Sequence, residues 1–198
     1  MSNDNTEPTD GPASLRRAIT LTTLLAVGWL AFRWLPLWRV RRWAARWSVR
    51  LPDRLLPMHL RVLPPPDREY LGVWAVPPAK ARKRLTDYGF RPQIRAYLHA
   101  YKRNGAMRFE EGSYAYRPTG IVGQWQLHVR LFPTHTGETA VWCHWERNPT
   151  VAPLAHLRQD GYDPKEGKAR FMALMDEPLR VADGELAESS RMGDESLS

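Results

Sequence analysis

The chain has 198 residues, 43% of them hydrophobic and 25% charged, with a net charge of +8 and one cysteine, Cys143. A single cysteine excludes an intramolecular disulfide framework and allows a reducing compartment. Acidic ends at residues 1–14 and 182–198 leave +15 between them, and Arg supplies 24 of the 29 basic side chains, which favours bidentate contact with phosphate or carboxylate.

Residues 18–32 are free of charge. As a helix they reach roughly 22 Å, short of a hydrocarbon core of about 30 Å. Continuing through Arg33, Trp34 and Pro36 to Trp38 gives about 31 Å, with Arg33 snorkelling and the tryptophans at the interface. Residues 18–38 are therefore predicted to be a transmembrane or membrane-interfacial helix behind a disordered tail at 1–17. A cleaved signal peptide is the weaker reading, because the small residues Ala26 and Gly28 are followed by an Arg-rich run rather than a polar mature terminus.

Residues 39–62 are predicted to form a basic amphipathic helix and linker. Val40, Trp43, Ala44, Trp47 and Leu51 recur on one face, Arg39, Arg42, Arg46 and Arg50 lie on another, and Pro52 ends the pattern. Arg33, Arg39, Arg41, Arg42, Trp43, Arg46, Trp47 and Arg50 are the predicted membrane-surface residues, and anionic lipid headgroups the predicted partner. The competing reading packs the apolar face on the protein's own domain. Two arginines, Arg16 and Arg17, precede the uncharged run, whereas seven, Arg33 to Arg54, follow it. That imbalance predicts a single-pass protein of the cell membrane with a cytoplasmic C-terminal domain, and a protein partner is open.

The domain is predicted over residues 63–181, beyond the prolines at 64–66. Residues 70–76 read as a buried strand, and Pro77 and Pro78 open a helix that Gly89 stops. Lys80, Arg82, Lys83 and Arg84 on that helix read as a solvated face. Residues 94–103 form a strand leading into Asn104-Gly105, a pair suited to a type I′ turn. Residues 108–116 then return, and 124–132 and 139–147 complete four consecutive antiparallel strands. Asp163-Pro164-Lys165-Glu166 is a helix start, with cap, first-turn proline and carboxylate in their favoured places. Residues 182–198 are too polar to fold alone. The fold class is α+β: a membrane or interfacial helix, then an antiparallel sheet of four to five strands with two or three helices.

If the turn of the last hairpin centres on Thr136, Leu131 opposes Val141, Val129 opposes Cys143 and Leu127 opposes Trp145 on one face. The other face pairs Arg130 with Trp142, His128 with His144 and Gln126 with Glu146, and Tyr114, Tyr116 and Glu110 are expected beside it. Two opposed imidazoles with a carboxylate are candidate catalytic or metal-binding groups: His128, His144 and Glu146. Tyr114, Tyr116, Gln126, Arg130 and Trp142 are the candidate ligand-binding residues. The plain reading of this face is a solvated sheet surface, on which metal would have no effect. Neither a metal nor another cofactor is required by any recognised spacing, since H-x-x-x-H, C-x-x-C, P-loop, dinucleotide and nucleophile-elbow patterns are all missing. His59, His99, His135 and His156 read as scattered surface or packed residues.

Nucleic acid fits the Arg and aromatic content, but residues 62–181 carry only +6, so the charge follows the membrane element. The function class expected from sequence is a membrane-associated binding or interaction module. The alternatives are an enzyme or metal-binding protein using His128, His144 and Glu146, and a membrane-tethered nucleic-acid binder.

Overall fold

The computed structural model describes Thr23 and residues 37–57, 60–93 and 96–175. The predicted membrane segment therefore lies outside the described residues except at Thr23 and at its last two positions, as do both predicted tails, Arg33 and His59. Among the described residues no helix is long and apolar enough to cross a membrane.

Helix α1, Leu37–Ser48, opens the described unit, and a short strand β1, Val62–Leu63, follows it. Strand β2, Tyr70–Trp74, leads into α2, Pro78–Asp87. The helix begins at Pro78, where the missing amide proton costs nothing, and ends before Gly89, whose φ of +88° lets Phe90 N donate back to Leu85 O. Strand β3 is Arg91–Pro92, β4 is Leu98–Arg103 and β5 is Ala106–Phe109. Both residues of the Asn104-Gly105 turn between β4 and β5 have positive φ, as a type I′ turn requires. Then come β6, Gly112–Tyr116, β7, Trp125–Pro133, β8, Thr139–Arg147, the short helix α3, Pro153–Leu157, and α4, Pro164–Leu174.

The α+β expectation holds, with a five-stranded antiparallel sheet in the order β2-β8-β7-β6-β3. The continuous return strand over 108–116 does not form. Glu110 and Glu111 interrupt it, so β5 stays with β4 and β1 in a separate three-stranded sheet while β6 joins the large one. Both carboxylates are drawn to arginines of α1, Glu110 to Arg41 and Glu111 to Arg42, and Arg82 of α2 also reaches Glu111. An exposed strand would not need such partners; a chain that changes sheets under a basic helix does.

The register of the β7 and β8 hairpin is the one predicted, from Leu131 with Val141 to Gln126 with Glu146. Its apolar face carries the main core, in which Leu127, Val129, Leu131, Val141 and Cys143 pack with Ala81 and Leu85 of α2 and Phe171 of α4. Burial of this face is what the alternating pattern dictates. Burial of the second face is not. There Phe132, Ala140 and Trp142 join Tyr70 and Tyr101 in a smaller aromatic cluster, and Gln126, His128, Arg130, His144 and Glu146 are also buried. The solvated-surface reading is corrected accordingly: the structure covers this face with the β2 approach and the β4–β5 hairpin.

Helix α1 packs with Arg41 and Arg42 inward, while Arg39, Arg46 and Arg50 are exposed. Ala45 and Ser48 are buried, and one helical turn away Arg41 donates to the carbonyls of Ala96 and Tyr97 and to Glu110. Trp43 and Trp47 are left 63% and 51% exposed. Packing of the apolar stripe on the domain is thus excluded, and Arg41 and Arg42, expected at a membrane surface, are engaged within the protein instead. Among the basic residues of α2, Arg82 lies over Trp38 and Arg84 over Trp74, so this side is only partly solvated.

Candidate metal centre and its cavity

Three side chains from the hairpin converge. His128 on β7 and His144 on β8 stand directly opposite, ring centroids 5.0 Å apart, and Glu146 follows two residues along the same face of β8. His128 Nδ1 is 3.5 Å and His144 Nε2 is 2.9 Å from the Glu146 carboxylate. One ligand atom from each of the three lies within 4.8 Å of the others, a separation small rotamer changes close to metal-ligand geometry.

Each group is also braced by a further side chain. His128 Nε2 is 2.9 Å from Ser113 Oγ on β6, and Gln126 Nε2 donates at 2.6 Å to Glu146 Oε1, the oxygen that faces His128. His144 Nδ1 lies 3.1 Å from Glu69 Oε1, an ion contact set off the hydrogen-bond direction. Glu69 itself accepts from Arg130 and from the Tyr162 hydroxyl.

Local folding explains these placements. Asp163 caps α4 by accepting from Glu166 N at 2.9 Å, and its own backbone pairs with Trp145 in an isolated bridge. That bridge delivers Tyr162 to His144, with ring centroids 4.8 Å apart. Helix α4 lies so close to β8 that a Cβ on Gly167 would stand 2.4 Å from the His144 Cα. Only glycine permits that approach, so the seat of His144 is fixed by a residue with no side chain.

The electrostatics divide the imidazoles. Burial, reinforced by Arg130, pushes His128 well below its ordinary value, so its ring is neutral with a lone pair to offer. Burial also acts against His144, but the Glu146 and Glu69 carboxylates outweigh it and raise the pKa. Glu69 is held at about 2 because Arg130 and His144 overcome the opposing effect of burial. Burial opposes the charge of Glu146 as well, but His144 above all, with His156 and Gln126, lowers its pKa. His99 is depressed to about 3 by burial and by Arg130.

These groups line one cavity of about 470 Å³, walled by Pro64, Pro66, Glu69, Tyr97, His99, Arg130, Arg147, His156 and Tyr162 besides the three converging residues. His156 of α3 brings Nδ1 within 3.2 Å of Glu146 Oε2.

Of the residues singled out from sequence, His128, His144, Glu146, Gln126 and Arg130 are brought together. Tyr114 and Tyr116 are not: they pair with Val129 and Leu127 and belong to the opposite, apolar face, because β6 is in register with β7 at Ser113 and Ala115 on the polar side. Trp142 enters the aromatic cluster, 4.8 Å from both Tyr70 and Phe132 by ring centroids, and does not line the cavity. Glu110 is buried nearby and bonded to Arg41. His99 and His156, read as scattered, belong to the cavity, whereas His135 is exposed on the hairpin turn. Glu69, Ser113 and Tyr162 were not foreseen. Glu69 and Tyr162 come from connections whose position no periodicity specifies, and Ser113 lies on β6, which turns its odd-numbered residues to the polar face.

Compared with known proteins, the chain matches no family model, no curated protein and no solved structure. The functional reading therefore rests on geometry.

Proposed function

We propose that the domain binds a divalent transition metal through His128, His144 and Glu146, and uses it to hold or activate a small polar ligand in the adjoining cavity. The observation that supports this is the convergence of His128 Nδ1 and His144 Nε2 on Glu146, with the outer nitrogens of the two imidazoles against Ser113 and Glu69 and the carboxylate steadied by Gln126. Metal-ligating imidazoles are oriented by such outer partners, commonly a carboxylate or hydroxyl. Two imidazoles and a carboxylate suit zinc and its neighbours better than magnesium or calcium. Three protein ligands leave a coordination position for an oxygen of a ligand, and the cavity supplies the space.

A second reading has its own support: His144 between Glu69 and Glu146 is a carboxylate-flanked imidazole with a raised pKa, a group suited to transfer or store a proton without metal. Metal uptake separates the two. Zinc added to the full chain is expected to bind at one equivalent and to raise the melting temperature, by about 2.7 kcal/mol of native-state stabilisation at a hundredfold excess over Kd. His128→Ala and His144→Ala should each remove the rise. No stoichiometric uptake, or an undiminished rise in both variants, would favour the proton-transfer reading.

We further propose that this domain works at a membrane, tethered by residues 18–38 and facing the cytoplasm, with anionic lipid as partner. The uncharged run, the Arg excess that follows it and the local concentration of charge before residue 62 support that placement.

A further inference from the structure

We propose that the outward side of α1, formed by Val40, Trp43 and Trp47, is itself a membrane contact that sits in the interfacial layer of an anionic bilayer, with Arg39, Arg46 and Arg50 at the level of the phosphates. This rests on the membrane placement above and specifies which surface makes the contact. A surface helix of a soluble domain turns its apolar stripe to the core. Helix α1 does the reverse, with Val40 45%, Trp43 63% and Trp47 51% exposed while Ala45 and Ser48 are buried. The orientation is locked: rolling the helix to bury the tryptophans would break the bonds from Arg41 to Ala96 O, Tyr97 O and Glu110. Trp43 and Trp47 meet edge to face, ring centroids 6.1 Å apart, in one aromatic ledge. Arg39 and Arg50, each lying near a tryptophan ring, and Arg46 are exposed.

The occupant follows from composition and chain order. Tryptophan beside exposed arginine is the signature of the headgroup region, where an amphipathic ring and a guanidinium are both accommodated. In the sequence the uncharged run 18–32 and its basic flank, which starts at Arg33, come shortly before α1.

The test uses the full chain in vesicles of phosphatidylcholine and phosphatidylglycerol. Cys143 is fully buried, so a thiol-reactive fluorophore can be directed to Trp47→Cys or, as a control, to the exposed turn position His135→Cys. On vesicles the label at position 47 is expected to lose iodide quenching several-fold relative to position 135, and to be quenched by nitroxide lipids. Protein that partitions onto the vesicles while position 47 stays open to iodide would overturn the interfacial face and leave the tether standing. Protein that remains in the aqueous phase would overturn the membrane placement. Protection of position 47 without lipid would replace the bilayer with a protein surface as the occupant.

Discussion

The two faces of the β7 and β8 hairpin are buried to the same degree by opposite means. Leu127, Val129, Leu131, Val141 and Cys143 are fully buried against helices, and His128, His144, Gln126 and Glu146 on the other side are between 0% and 7% exposed. On the first face burial is favourable residue by residue, at about 25 cal/mol per Å² of apolar area. On the second it is tolerable only because every charge has a counterpart: Glu69 with Arg130, His144 with Glu146. Alternation of apolar and polar residues therefore marks two faces but does not say which of them meets water. A buried polar face held by a closed set of partners is also less forgiving than an apolar one, since removing one member strands another.

The largest expected effect breaks that closure. Glu69→Gln should destabilise the protein by about 3 to 5 kcal/mol, because it leaves Arg130 buried and uncompensated and takes one carboxylate from His144. Adding Arg130→Met should recover much of the loss, which urea denaturation of the single and double variants would measure. Equal and additive losses would mean that the pair is not coupled.

Next is the pH response of the metal-free chain. His99 is buried with Arg130, Arg41 and Glu69 around it and Nδ1 3.0 Å from Tyr97 O, and its folded pKa of about 3 lies below its ordinary 6.5. Unfolding takes up a proton between those values, so stability is full above pH 6.5 and declines below it by up to about 1.4 kcal/mol per pH unit. His128, also depressed, adds a loss of the same sign. His144 acts oppositely: its pKa is raised, so its contribution is full below 6.5 and disappears as pH rises through the folded value. Melting temperature should therefore peak near neutrality on both counts, and His99→Gln should flatten the acid limb; an unchanged limb would remove His99 from the account.

The smallest effect tests the contrast at α1, where the apolar residues face out. Trp43→Ser with Trp47→Ser should leave stability within about 0.5 kcal/mol of the parent, as for other exposed positions. A substantial loss by thermal denaturation would show that the ledge is packed in the folded protein.

Local signals were legible wherever a short stretch carries its own physics. The first-turn proline Pro78, the cap Asp163, the Asn104-Gly105 turn and the whole register from Leu131 to Gln126 are legible because helix-start chemistry, positive φ and the two-residue strand period act over a few residues. The opposed histidines followed from that register alone. By contrast, the facing of β6 depends on the connection over residues 117–124, in which no short-range signal fixes the parity, and a shift of one residue in register exchanges the two faces.

What the sequence by itself determined is thus the α+β class, the hairpin, and the juxtaposition of His128, His144 and Glu146, all consequences of neighbours along the chain or across one turn. Only the tertiary structure decided that this polar face is buried, that Glu69 meets Arg130 across 61 residues and Tyr162 across 93, and that α1 turns Trp43 and Trp47 outward. The physical reason is that periodicity fixes the relative facing of residues within an element. Which face is covered depends on long-range ion pairs, Arg41 with Glu110 and Arg130 with Glu69, whose partners carry no mark in the local pattern.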